Sequence, residues 1–363
     1  MVTPPRPFRP PLPWLLVLLV VELPAAIASS GEASEEGSPS SLARRRPKYT
    51  RVDGSIETVW QRPAGEPRGI VFIAHGCMHQ ATDIFTEVGH DGWRFEDCTR
   101  SNFQRCLGLP QEMRLRQEAR SRGYLTMAVS GGRGWQSCWD SHRDTARVGR
   151  AVEYVREEEA LPPGLPVFAI GASSGGGFVG HLAASIKSGG LPHLKCIVPQ
   201  IMGLNGARNR GIPTLFVHMP RDTRTAARVR QDLKSLRAVG IQAQEIEVNP
   251  VPVTAGLLSQ CLPKHVAVEA AAAVQEAGLL DSKGYLTEDA RARRWERPVR
   301  AALAGRSEDT LVADESCLAE VFNVAWAYHE FTAQHAEQML DFCETAHEGR
   351  GATPPRKAPA GEF

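Results

Sequence analysis

The chain of 363 residues carries 42 Lys and Arg against 41 Asp and Glu, a formal net charge of +1. So even a balance gives no electrostatic pull toward nucleic acid or strongly acidic partners. A hydrophobic content of 42% supports an ordinary globular core, and once the ends are trimmed one large α/β domain suits the length better than two.

At the N-terminus Arg6 and Arg9 precede an apolar run over 14–21, and Ala26, Ile27 and Ala28 follow as a small-residue cleavage pattern. The pattern predicts a secretory signal peptide over 1–28. Glu22 and Pro24 interrupt the run, which is too short for a comfortable membrane span; an uncleaved signal anchor is the alternative. Residues 29–46 are Ser/Glu/Gly-rich and then basic, as in a flexible linker, and 348–363 form a Pro/Gly-rich tail expected to be disordered. The folded domain is therefore expected over 47–347. All 8 cysteines follow the proposed cleavage site, an even count that permits disulfides in a secreted or lumenal protein; free buried thiols are the alternative, and spacing does not reveal the pairing. No C-x-x-C pair or His/Cys cluster has zinc spacing, so no structural metal is expected. No N-x-[ST] glycosylation acceptor occurs.

Residues 49–62 alternate around Asp53-Gly54, a hairpin signal. The run GIVFIA at 69–74 is the first strongly buried strand and ends in His75-Gly76-Cys77. A long connection with irregular period follows, bearing Trp93, Phe95, Cys98 and Cys106. Residues 110–122 have helical period, with Pro at the start and Gly123 after the end, and 124–130 form the next strand. The loop GGRGWQSCWD then carries Trp135, Cys138 and Trp139. A helix is predicted over 141–159, closed by Pro162-Pro163-Gly164. Further strands are predicted at 167–170, 195–202, 213–219 and 242–248, with a helix over 223–239. Strands alternating with helices after a hairpin predict a mostly parallel, twisted sheet covered on both faces.

The stretch PVFAIGASSGGGFVGH at 166–181 is the most informative. A short β-rich run leads into Gly171-Ala172-Ser173-Ser174-Gly175, and a helix is predicted from Phe178 to 186. Strand, G-x-S-x-G, helix resembles the nucleophile elbow of the α/β-hydrolase superfamily. A serine at the apex of such a turn needs small neighbours two residues to either side. A Gly/Ser-rich turn without chemistry is the bland alternative. The resemblance implies an α/β-hydrolase fold, with Ser173 as nucleophile and the Ser174 N–H facing an oxyanion. His75-Gly76 is similar to the superfamily's HG, whose loop supplies the second N–H. Cys77 is the expected donor and Met78 the second choice, and His75 is structural. Loops at the C-terminal ends of parallel strands line the site, so Trp135 and Trp139 are candidate substrate-binding residues; the alternative is that they only cap the core. HGC and CWD are also similar, over few residues, to the HGC and CWN segments of secreted polyester depolymerases and feruloyl esterases.

The superfamily's chain order is Ser, acid, His. By ordinal position the acid falls in the loop after 213–219, at Asp222; an N-cap for the helix from Thr223 is its competing role. No His lies in 249–254, and the following segment, with helical pieces at 266–277 and 288–303 and a GLLDSKGYL turn, is read as a helical cap insertion over about 254–316, before the C-terminal helix. In 315–343, Leu318, Phe322, Ala325, Thr332, Ala336 and Met339 share helical spacing with His329. His329 is the expected base, with His335 and His265 as fallbacks; no Gly precedes it, and the spacing leaves open a loop or the inside of a continuous helix. The resemblance implies a serine hydrolase, acting by the superfamily's habit on a small-molecule or polymer ester rather than a peptide, without metal or cofactor. The competing function is binding alone by a catalytically silent hydrolase fold.

Overall fold

The computed structural model describes residues 46–85, 108–132, 137–188, 190–204, 209–306, 311 and 316–349. The expected signal peptide, the linker up to 45, Trp135 and the tail from 350 lie outside the described residues.

The chain opens with an antiparallel hairpin of β1 (Lys48–Val52) and β2 (Ile56–Gln61). Asp53 and Gly54 at its turn take positive φ, 50° and 69°, which glycine and the short polar aspartate tolerate best. Then follow β3 (Gly69–Ala74), α1 (Pro110–Ser121), β4 (Tyr124–Val129), α2 (Ser141–Glu158), β5 (Val167–Ala172) and α3 (Ser174–Ser185). The sheet is completed by β6 (Leu194–Gln200), β7 (Thr214–His218) and, after α4 (Thr223–Ala238), β8 (Ala243–Glu247). The eight strands run in the order β1-β2-β4-β3-β5-β6-β7-β8, with β2 antiparallel to both its neighbours and every pairing from β4 to β8 parallel.

The central strands are buried on both faces, which is why they read as unbroken apolar runs. In β3, Val71 and Ile73 join one layer with Leu115 and Ala119 of α1. Ile70 and Phe72 join the other, with Val152 of α2, Phe178 of α3 and Leu233 of α4. A one-residue slip would exchange the two sets, so the register is fixed by burial. A third cluster lies apart from the sheet. It holds α5 (Ala255–Leu258), α6 (Lys264–Glu276) and α7 (Glu296–Leu303), and its Trp295 stacks on Phe322 at 4.3 Å.

One helix expectation needs correction. The predicted helix over 288–303 is a 3₁₀ turn at Ala290–Ala292 followed by α7, because Arg293 takes a left-handed φ of 62°. Of the two arrangements left open around His329, the structure has the loop: 315–343 holds two helices, α8 (Cys317–Trp326) and α9 (Ala336–His347). Ala327 ends α8 in a left-handed conformation, φ 54° and ψ 60°, its N–H satisfied by the carbonyls of Asn323 and Val324. Alanine at such a position costs about 1 kcal/mol relative to glycine, so no glycine announces the break. His329 stands in the loop between the two helices.

Each described cysteine is paired: Cys77 with Cys138, Cys196 with Cys343 and Cys261 with Cys317. The last two staple α9 to β6 and α8 to the chain before α6, so both helices flanking the His329 loop are covalently held. No helix among the described residues is long and apolar enough to cross a membrane.

Candidate active site

The turn between β5 and α3 is tighter than its glycines alone suggest. A Cβ on Gly175 would lie 2.3 Å from the Ala74 carbonyl oxygen and 2.4 Å from that of His75. One on Gly171 would lie 2.5 Å from the Gly175 oxygen. These two positions let α3 begin directly against the end of β3, at Ser174 rather than Phe178. Ser173 at the apex is forced to φ 52° and ψ −117°, a strained conformation for a residue with a side chain. Its N–H donates to the Gln200 carbonyl at 3.0 Å, and its own carbonyl accepts the Gly177 N–H at 3.0 Å.

The Ser173 hydroxyl donates to His329 Nε2 at 3.1 Å, and His329 Nδ1–H donates to Asp222 Oδ2 at 2.6 Å. A carboxylate only accepts, which sets the imidazole tautomer. Asp222 also caps α4: its Oδ1 accepts the Thr225 N–H at 3.1 Å. The two roles weighed for this residue thus use one oxygen each. Burial works against its charge, but the Thr225 side chain and the hydrogen bond from His329 outweigh it and hold the carboxyl below its ordinary range. The Asp222 side chain is 8% exposed and that of His329 32%, so the imidazole remains open to solvent while its partner is enclosed.

The fallback histidines lie elsewhere. His335 is the N-cap residue of α9, and His265 is an exposed residue of α6. His75 is buried and its pKa is lowered to about 4, chiefly by desolvation. Its Nδ1–H donates to the Gly76 carbonyl at 2.6 Å and its Nε2 accepts the Gly131 N–H at 3.0 Å, so it clamps the loops after β3 and β4 together. Trp139 donates its indole N–H to the His75 carbonyl at 2.9 Å and stacks on Phe178 at 4.2 Å. These are the contacts of a core-capping ring. Cys77 sits in the turn after His75-Gly76, tied by its disulfide to Cys138 beside Trp139. The N–H groups of Cys77 and of Ser174, first residue of α3, have no partner among the described residues.

The antiparallel β2, the parallel run that follows it, the strained serine after β5 and the chain order Ser173, Asp222, His329 converge on one architecture. The chain has the α/β-hydrolase fold. No family model matches the sequence, and no curated relative matches it. Among solved structures it is similar to the Pyrococcus horikoshii acylaminoacyl peptidase, at 12% identity and TM-score 0.38 over 56% of this chain; the chain spans 37% of that protein. A dienelactone hydrolase from Anabaena variabilis matches at 14% identity and TM-score 0.36, over 56% of this chain and 86% of its own. An acetyl xylan esterase from Aspergillus awamori matches at 11% identity and TM-score 0.37, over 53% and 80%. Likenesses this distant say nothing of substrate.

Beside the site of this hydrolase fold lies a group of ionisable residues that sequence reading missed, with Asp83, Glu112 and Glu320 buried and His79 and Glu330 half-buried. His79 and Asp83 follow β3, Glu112 is in α1, Glu320 in α8, and Glu330 follows His329. His79 Nδ1 lies 3.3 Å from Asp83 Oδ2. Burial raises Glu112 and Glu320, and for Glu320 the neighbouring Glu112 carboxylate adds to the rise. Glu330 accepts from Asn323 Nδ2 at 3.0 Å and from the Phe331 N–H at 2.9 Å. Burial pushes it from 4.5 up to about 7, against the pull of the His79 charge. The only sequence signal was the acid beside His329, which looks like a solvated surface residue. Because folded Glu330 holds its proton to higher pH than the unfolded chain does, it favours the folded state fully below 4.5, and that contribution is lost as pH rises toward about 7. Glu330→Gln is expected to flatten the stability-against-pH curve in this window. The check is the difference in denaturation midpoint between wild type and variant at pH 4.5, 6 and 8; a constant difference would contradict the assignment.

A shallow cleft of about 420 Å³ between the outer end of α4 and β8 is lined by Arg230, Leu233, Lys234, Arg237, Ala238 and Glu245. None of these belongs to the hydrogen-bonded chain from Ser173 to Asp222.

Proposed function

We propose that the protein is a serine hydrolase that cleaves carboxylic esters through Ser173, His329 and Asp222. The observation that carries the reading is the single imidazole hydrogen-bonded to both other residues through opposite nitrogens. Ser173 Oγ attacks the acyl carbon while its proton passes to His329 Nε2. Asp222 keeps Nδ1–H oriented and stabilises the imidazolium that forms. The negative charge on the acyl oxygen falls to the N–H groups of Cys77 and Ser174, the latter backed by the positive end of α3. The imidazolium then protonates the leaving alcohol, and water, activated by the same imidazole, releases the acid. The chemistry calls for no metal or organic cofactor. The three disulfides among the described residues suit an oxidising, secretory compartment.

Fluorophosphonate labelling of the folded, oxidised protein tests the reading. Stoichiometric modification of Ser173 supports it, and absence of labelling would favour a silent fold used for binding.

The Cys77–Cys138 disulfide gives a second test. It closes a sequence separation of 61 residues, worth about 4 kcal/mol in a chain-entropy treatment, and holds the turn that carries the Cys77 N–H. The double variant Cys77→Ala, Cys138→Ala is expected to lose at least about tenfold in turnover, since one oxyanion donor is worth about a hundredfold or more. Steady-state kinetics below the variant's unfolding temperature check this, and unchanged turnover would remove Cys77 from the oxyanion site.

A further inference from the structure

The loop carrying His329 crosses the end of the sheet without joining it, so its backbone N–H groups need partners from elsewhere. Four consecutive amides find them on side chains. Phe331 N–H donates to Glu330 Oε1 at 2.9 Å and Gln334 N–H to Thr332 Oγ1 at 3.2 Å, both within the loop. Thr332 N–H donates to Gln200 Oε1 at 3.0 Å and Ala333 N–H to Gln111 Oε1 at 2.9 Å, both outside it. The two glutamines are buried, Gln200 at 0% exposure and Gln111 at 2%.

Gln200 differs from Gln111 in what else it holds. It is the last residue of β6, and its backbone carbonyl accepts the Ser173 N–H at 3.0 Å. In the sheet it pairs with Ala172, just before the nucleophile, and with Val217 of the strand that leads to Asp222. Its amide nitrogen lies 3.7 Å from Met339 Sδ in α9, which keeps the carbonyl end turned to Thr332. One residue therefore joins the proton donor, by its backbone, to the loop of the proton acceptor, by its side chain.

We infer that Gln200 is a positioning residue for the base: through the Thr332 N–H it fixes the distance between His329 Nε2 and Ser173 Oγ. The inference rests on the hydrolase reading above. It touches no reacting atom, and its effect falls on proton transfer rather than on ester binding. An imidazole displaced by about an ångström can cost a hundredfold in rate. Gln200 closes β6 as one more residue of a buried run, and its partner Thr332 is 132 residues away, so nothing in the sequence marked it.

The test compares Gln200→Met, which keeps the volume and loses the acceptor, with Gln200→Glu, whose carboxyl oxygen can take the same N–H. The substrate is p-nitrophenyl acetate, with active sites counted by fluorophosphonate titration. Gln200→Met is expected to lower kcat per titrated site by about 10- to 100-fold with KM changed less than about threefold. Gln200→Glu is expected to recover most of that loss. If the Met variant does not fold, Gln200→Asn replaces it, since its shorter side chain keeps the amide but falls short of Thr332; the same kcat loss is expected. Wild-type kcat in the Met or Asn variant, or a Glu variant as slow as Met, would overturn the inference while the hydrolase reading stands. Inactive wild-type protein, or an active Ser173→Ala control, would overturn both.

Discussion

Replacing Ser173 by alanine is expected to cut hydrolysis of a short-chain aryl ester by about four to six powers of ten while the protein stays folded. In the proposed mechanism the hydroxyl is the atom that becomes the nucleophile, and no neighbouring group can substitute for it. Ser174 Oγ is the nearest rival in sequence, but it is buried without a hydrogen-bond partner, and so without a base. Ser173→Ala and Ser174→Ala measured side by side therefore decide the register of the turn: activity lost in the second and kept in the first would reverse it. A third substitution separates strain from chemistry. Ser173 sits at φ 52° and ψ −117°, where a side chain costs on the order of 1–3 kcal/mol and glycine costs little. Ser173→Gly is expected to be inactive yet more stable than Ser173→Ala in denaturant unfolding. Equal stability would mean that the turn is not strained.

His329→Gln is expected to lower turnover by about three to five powers of ten, because a serine hydroxyl is a poor nucleophile without a proton acceptor. His335→Gln, at the N-cap of α9, is expected to change turnover less than about threefold. Asp222→Asn separates orientation from charge: the amide can still hold a ring nitrogen but favours the wrong tautomer, a loss of about 10⁴ in the serine proteases. Because Asp222 is held below the ordinary carboxylate range, its charge strengthens the folded state at all pH values above the unfolded carboxyl's pKa. That contribution disappears as pH falls through the lower folded value. Unfolding midpoints of wild type and Asp222→Asn measured across pH 2–7 check this: the gap between them should narrow as the pH falls, and a gap that stays constant would contradict the assignment.

The turn at Ser173 was legible in the sequence because its constraint is local. A serine between a strand and a helix needs glycines where a Cβ would strike backbone, and Gly171 and Gly175 meet backbone oxygen within 2.5 Å. The strands were legible for a similar reason: a run buried on both faces, such as GIVFIA, has few other uses. Asp222 followed from strand count, and its competing role as a helix cap proved to be compatible, since a carboxylate has two oxygens to give.

The His329 loop was not legible in the same way. Its apolar residues fit a helical period across the break, because α8 faces the cluster around Trp295 and α9 packs on the sheet, and the two faces happen to stay in phase. The break is made by Ala327 in a conformation that alanine seldom adopts, and it is stabilised by side chains far away in sequence: Gln200, 132 residues from Thr332, and Gln111, 222 residues from Ala333. The same holds for the buried carboxyls of Glu112 and Glu320 and the half-buried one of Glu330, whose enclosure depends on three segments packing together. Local steric and burial patterns determined the strands and the serine turn from sequence alone. The His329 loop and the acids beside it were decided only by tertiary contact, because their hydrogen-bond partners exist only once the sheet and α9 have met.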